Sequence, residues 1–350
     1  MSTSSILARG STRCNCSIST RRSRVPPYPA TSASAGVSWA TRPKLRSRRR
    51  VGVGSRPTSG AADVLRLLGA LMLLAPQVLE AGEPSRAASA ERIVTLGGAV
   101  TEIVYALGAG DRVVGVDASS SFPRKVKDLA QVAYHRRLNA EGVLSLNPDL
   151  VVCTTDAGPP AAIEQLQASG VRVVIVEHDP GVAPLITKIR TIARLLDRWD
   201  RGEALIEAVE ADLAKVQLPV DGEGPRVLFL MARGQSTLMV AGTNTAAAMM
   251  IELAGGVNAV DGYEGYKPLT AEAAVLAVPD VVLLMSSGLE AVGGVDALLK
   301  TPGLALTPAG QARRIEAMDG LFLLGFGPRT GKATHELHRR LFDENGEHEL

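Results

Sequence analysis

The chain has 350 residues, enough for one to three domains, with 46% hydrophobic and only 3% aromatic residues. Its formal net charge of +2 hides two unlike parts: residues 1–90 carry 14 Lys and Arg against 3 Asp and Glu, and the remainder carries 24 against 33. An acidic body argues against nucleic acid and against a strongly anionic surface as its partner.

The first sixty residues are rich in Ser, Arg, Pro and Gly and read as a basic disordered leader. Val64 to Ala75 follows, mostly Leu and Ala, too short for a membrane span and suited to the apolar core of a secretion signal. Ala88-Ser89-Ala90 offers a small-residue cleavage site, so export through residues 64–90 is expected; a basic tail on a cytosolic protein is the alternative. Cys14 and Cys16 lie in the leader, and Cys153 stands alone in the body, where it reads as a buried inert thiol.

The body opens with the strand Arg92 to Leu96, a Gly97-Gly98 turn, a helix over Thr101 to Leu107 and a strand over Arg112 to Val116. A polar stretch leads to a short helix, a strand at Leu150 to Cys153, a helix from Ala161 to Ala168 and a strand from Val171 to Val176. This alternation predicts a mainly parallel sheet with helices on both faces. Pro184 to Val216 then shows apolar residues at helical spacing, which predicts one long helix or two in tandem. Strand–helix alternation resumes with Arg226 to Met231, a helix over Ala246 to Leu253, a strand over Arg313 to Met318 and a final helix from about Thr334 to Phe342.

One unit occurs twice. Ala140-Glu141 runs through Val143-Leu144 to Pro148-Asp149 and an apolar run, and Ala271-Glu272 runs through Val275-Leu276 to Pro279-Asp280 and another. Each reads as a short helix, a Pro-Asp stop and a strand. Two similar α/β units predict two similar lobes facing each other across a cleft.

Signs of catalysis are sparse. Leu96-Gly97-Gly98-Ala99 lacks the G-x-G-x-x-G and G-K-[ST] spacings of phosphate loops, so a tight turn explains its glycines. His178-Asp179 has no recognisable nucleophile, and His335 and His338 share a helix face that reads as a solvated basic end. The better candidate is Tyr134-His135-Arg136-Arg137, in a loop at a strand end, where doubly wound lobes bind ligands. A phenol needs help to ionise at neutral pH, and a ferric ion on its oxygen with a guanidinium nearby supplies it. In an extended loop Arg136 would point the same way as Tyr134. A packed surface tyrosine beside solvated arginines is the other reading of these residues. A loop with Tyr263, Tyr266 and Lys267 precedes the second repeat, and Arg233 follows a strand; both would sit at the rim of the second lobe.

These motifs resemble a known group. Arg92 to Leu96 with Thr101-Glu102, Tyr134-x-Arg136 leading into Ala140-Glu141-Gly142-Val143-Leu144-Ser145-Leu146, Glu252-Leu253-Ala254-Gly255-Gly256, Gly265-Tyr266-Lys267-Pro268-Leu269 and Gly325-Phe326-Gly327-Pro328-Arg329 resemble the haem (haemin) substrate-binding proteins of bacterial ABC importers. Vitamin B12 and ferric-siderophore binders belong to the same helical-backbone superfamily. The resemblance implies an α/β fold of two Rossmann-like lobes with mainly parallel sheets joined by a single long helix. Residues 91–181 would form the N-terminal lobe, 182–202 the connecting helix and 203–350 the C-terminal lobe. It implies a periplasmic, non-enzymatic protein that carries ferric haem, with Tyr134 as axial iron ligand, Arg136 hydrogen-bonding near it, and Arg233 and Tyr266 as second-lobe contacts. It also implies that Glu141 and Glu252 dock onto the permease. The implied partners are the ABC permease, its ATPase and an outer-membrane haem receptor system upstream. A corrinoid or siderophore binder of the same fold, or an α/β enzyme with an unrecognised cleft site, would be the rival readings.

Overall fold

The computed structural model describes residues 90–218, 224–233 and 237–342. The basic leader and the signal-like segment lie outside the described residues.

The first lobe is a five-stranded, all-parallel sheet in the order β3-β2-β1-β4-β5. Its elements are β1 (Ile93–Leu96), α1 (Gly98–Ala106), β2 (Val113–Val116), β3 (Ala130–Gln131), α2 (Ala140–Leu144), β4 (Leu150–Thr154), α3 (Pro160–Ala168) and β5 (Arg172–Val176). Every residue of β1 and β4 is buried. Their near-continuous apolar runs, interrupted only by the buried Thr95 and closed by Thr154, have that cause, because a parallel sheet covered on both faces leaves no polar side to alternate with. Ile93, Val152 and Leu150 pack with Ile103 of α1 and its capping Leu107 on one face, and Val94, Val151 and Cys153 pack with Val143 and Leu166 on the other. Each such fully buried side chain contributes about 1.5–3 kcal/mol.

The chain leaves this lobe through α4 (Val182–Leu195) and α5 (Trp199–Leu213). Of the two readings of this stretch, the two helices in tandem hold; the single connecting helix over 182–202 is two, and residue 202 falls inside the second. The break is local: α4 ends at Leu196, and Asp197 takes a left-handed φ of 56°. Neither Gly nor Pro marks it. Leu185, Ile189 and Ile192 of α4 and Ile206 and Val209 of α5 all join the first-lobe core.

The second lobe contains β6 (Arg226–Arg233), β7 (Thr237–Ala241), α6 (Ala246–Leu253), β8 (Val257–Asn258), β9 (Tyr266–Pro268), α7 (Ala271–Ala277), β10 (Val281–Met285), α8 (Ser286–Ala291), α9 (Val295–Leu298), α10 (Pro308–Gln311), β11 (Ile315–Met318), α11 (Gly320–Leu324) and α12 (Thr330–Phe342). Its sheet runs β11-β10-β6-β7-β9, with β8 beside β6. The pairings of β10 with β11 and β6, and of β6 with β8, are parallel, whereas β7 pairs antiparallel with both β6 and β9. Helix α5 packs against α12, tying the connection to this lobe as well.

The sequence repeat is a structural staple. In the first copy the Asp149 carboxylate accepts hydrogen bonds from the Glu91 and Arg92 amides at 2.8 and 3.2 Å, while the Arg92 guanidinium donates to Leu146 O and Asn147 O at 2.6 and 3.0 Å. In the second, Asp280 accepts from the Arg226 amide at 2.8 Å, and the Arg226 guanidinium donates to Ala277 O at 2.9 Å and Ala259 O at 3.0 Å. The residue before each proline takes a left-handed turn, with φ of 46° at Asn147 and 42° at Val278. Each staple closes the orphan carbonyls of a short helix and fixes the start of the central strand.

Candidate functional site: the cavity between the lobes

A cavity of about 980 Å³ lies at the carboxyl ends of both sheets. The first lobe contributes a residue from the end of every strand: Gly97 after β1, Ser119 after β2, Tyr134 after β3, Thr154 closing β4 and His178 after β5. The strand order reverses between β1 and β4, the switch point where open α/β sheets bind ligands. The second lobe adds Met231 near the end of β6, Met285 closing β10, and Leu321 and Leu324 of α11, which follows β11. The volume is at the upper end of the range for small-molecule sites.

The polar wall is organised around Asp117, which is fully buried at the end of β2. Its carboxylate accepts from Gly97 N at 2.9 Å, Ser119 Oγ at 2.7 Å, Ser120 Oγ at 2.9 Å and His135 N at 3.3 Å, and it pairs with His135 Nδ1 at 2.7 Å. One side chain thus gathers the β1 turn, the β2 loop and the Tyr134 loop. Burial works against the Asp117 charge, but the hydrogen bonds from His135, Gly97 and Ser119 hold the carboxyl down at about 2. Burial likewise opposes a charged His135, yet Asp117 and Asp156 raise it to about 9, so it stands as an imidazolium between two carboxylates.

Tyr134 rests on that clamp. Its ring lies 4.5 Å from the His135 ring, and it remains 40% exposed in the cavity wall. Residues His135–Arg137 form a 3₁₀ turn, so the alternation expected of an extended loop does not apply. Arg136 is instead drawn to Asp156, with Nε at 2.8 Å and Nη2 at 2.5 Å from Oδ2. It still lines the cavity, as does Arg137, which the sequence reading did not single out. Together these side chains offer one phenol and two guanidiniums on one wall against thioether and leucine side chains on the other. Such a set can hold a flat apolar ligand bearing carboxylates, with the phenol oxygen available to a hard metal ion at its centre. Among the described residues no group of three His, Cys, Asp or Glu is placed to hold a bare metal ion.

The second-lobe candidates are placed as follows. Tyr266 packs against the second-lobe core, and burial raises its hydroxyl above the usual range, opposed by a hydrogen bond with Thr245 and by the charge of Arg136 from the cavity wall. It does not line the cavity. Arg233 ends β6 opposite Thr237, and its side chain is outside the described set. Glu141 and Glu252 are exposed, on α2 and α6 respectively. His338 Nδ1 donates to Ala254 O at 2.9 Å, and its ring packs on Phe342. Cys153 is buried, which pushes its thiol up to about 11.

Two motifs of the sequence meet across the lobes. Arg329, just ahead of α12, grips Glu102 of α1 with Nε–Oε2 at 3.0 Å and Nη2–Oε1 at 2.5 Å. The guanidinium also lies 3.9 Å from the Phe122 ring of the first lobe and 4.9 Å from the Phe322 ring of the second. Nearby, a side chain on Gly98 would strike Ser119 O at 2.7 Å and Leu321 of the opposite lobe at 2.5 Å, so glycine lets the lobes close to contact here.

A family model described as periplasmic binding protein matches residues 93–320. This chain belongs to that family. Among solved periplasmic binding proteins, the haem-binding protein RhuT from Roseiflexus sp. RS-1, in apo form, is 48% identical with a TM-score of 0.69, covering 72% of this chain and 98% of that one. The haem-binding protein BhuT, in complex with two haems, is 45% identical with a TM-score of 0.68, over 71% of this chain and 97% of its own. HutB of Vibrio cholerae, a haem-binding protein, is 36% identical with a TM-score of 0.66, over 72% and 98%. Among curated proteins, the ABC transporter substrate-binding lipoprotein YvrC of Bacillus subtilis is 26% identical over 73% of this chain and 81% of its own length. A vitamin B12-binding protein of Yersinia pestis is 28% identical over 49% of this chain and 61% of its own.

Proposed function

We propose that this protein captures ferric haem in the cavity between its lobes and passes it to an ABC importer. The observation that carries this reading is an exposed phenol, Tyr134, set on a buried ionic clamp at the mouth of a cavity with arginines on one wall and apolar side chains on the other. Tyr134 would bind the iron, and Arg137 together with Arg136 would meet the acidic edge of the ring. The haem-binding relatives at 36–48% identity support the ligand. The protein acts by binding and release rather than by covalent chemistry. It works outside the inner membrane, after export through the segment at 64–90, with an outer-membrane haem receptor as its source of ligand. Glu141 and Glu252, one on each lobe, would dock on the permease, whose ATPase drives release.

Haemin titration of the purified protein, followed by absorbance, tests the proposal. Wild type develops a high-spin ferric spectrum, and Tyr134→Ala loses that spectrum and binds at least ten-fold more weakly. A Tyr134→Ala protein that titrates like wild type removes the ligand assignment. A corrinoid ligand, which the B12-binding relative makes the second reading, would instead leave haemin unbound and show a cobalamin spectrum.

A further inference from the structure

Four methionines form one transverse row in the second-lobe sheet. Met231 is paired with Met239 between β6 and β7, and Met285 with Met318 between β10 and β11. The parallel register that sets Leu284 against Leu230 carries Met285 to the position beside Met231. In-register neighbours share a face of the sheet, and this face is the one occupied by Val227, Phe229, Val281 and Leu283. The chain has 8 methionines in all, so half of them fall in this row. Deeper positions on the same strands use Val, Phe and Leu; thioethers appear where β6 and β10 open onto the cavity, and Met231 and Met285 line it.

We infer that this row is the second lobe's ligand platform, with Met231 and Met285 packing on a flat aromatic macrocycle and Met239 and Met318 backing them. The inference rests on the haem reading of the cavity. Methionine suits the task because its unbranched chain adapts to a ring and its polarisable sulfur makes favourable contacts with aromatic edges and faces. The platform meets the ring and not the iron, so a porphyrin without iron should feel it equally.

The test uses the full chain labelled with carbon-13 at the methionine methyls, saturated with gallium protoporphyrin IX, a diamagnetic stand-in for haemin. The signals of Met231 and Met285, identified by their loss in Met231→Leu and Met285→Leu, should move upfield through ring-current shielding. Met250, sealed in the core at 0% exposure, should stay in place. The double alanine variant should bind haemin and iron-free protoporphyrin IX about ten-fold more weakly, and the double leucine variant, which conserves volume, controls for folding. Unmoved methyl signals in a saturated complex, or unchanged affinity in the double alanine variant, overturn the platform and leave the haem reading standing. A wild-type protein that takes up neither porphyrin ends both. Shifted methionine signals with a Tyr134→Ala variant that binds haemin normally would overturn only the iron ligand.

Discussion

Removing Arg329 should destabilise this protein far more than removing Arg329 and Glu102 together. The Glu102 side chain is only 4% exposed and that of Arg329 23%. Burial pushes the Glu102 carboxyl above its ordinary range, and the hydrogen bond and charge of Arg329 oppose this without cancelling it. In Arg329→Met the carboxylate loses both guanidinium contacts and stays buried, which costs about 3–5 kcal/mol for an orphaned charge. Loss of the guanidinium from between Phe122 and Phe322 adds about 0.5–1 kcal/mol. Replacing both partners, as Glu102→Leu with Arg329→Met, leaves no orphan and should fall within about 1 kcal/mol of wild type or above it. The coupling in the double-mutant cycle is then about 3 kcal/mol. Urea denaturation followed by circular dichroism at pH 7 gives the four stabilities. The sign of the pH effect follows from the raised pKa: protonation neutralises Glu102, so the deficit of Arg329→Met shrinks as the pH falls toward and below 4.5. A single variant that loses less than about 1 kcal/mol, or a double variant as poor as the sum of the singles, would refute the claim that the pair is a desolvated clasp between lobes.

Three further outcomes are expected. Lys188 is 1% exposed, its Nζ has no hydrogen-bond partner among the described residues, and burial lowers it from 10.5 to about 8 despite Asp156 and Asp179. Lys188→Met should therefore gain up to about 3 kcal/mol at pH 7; since the unfolded chain holds its proton up to 10.5, wild type alone should gain stability from pH 8 to 10.5, as denaturation curves across that window will show. Val278, a β-branched residue at φ 42° where the first repeat has Asn147, should be improved by Val278→Asn, raising stability by about 1 kcal/mol in the same assay. Glu141→Ala with Glu252→Ala should leave haemin titration unchanged and impair haemin uptake in cells; normal uptake would refute the docking assignment.

The elements that depend on neighbouring residues were legible in the chain itself. Pro148-Asp149 and Pro279-Asp280 mark helix-to-strand transitions through local backbone rules, so the two-lobe α/β plan could be read from their recurrence. Tyr134 could be placed at a strand end for the same reason. The sequence allowed two helices in tandem, but the position of the break, a left-handed Asp197, carries no glycine or proline to mark it. The Asp117–His135 clamp spans 18 residues and the Glu102–Arg329 clasp 227, and no periodicity links partners at such separations. Arg136 lies in a 3₁₀ turn rather than an extended loop, so strand-like alternation does not orient it, and Asp156, 20 residues on, pairs with its guanidinium at the cavity wall. The methionine row depends on strand register, which exists only once the sheet is assembled.

The arginine–aspartate staples sit at the amino ends of the central strands, at the pole of each sheet farthest from the cavity. These ties fix the base of each half, leaving the cavity end to be held by other contacts such as the Asp117 clamp and the Glu102–Arg329 clasp. Loops at the mouth can therefore vary without touching the ties at the base, provided the buried Asp117 partners among them are kept.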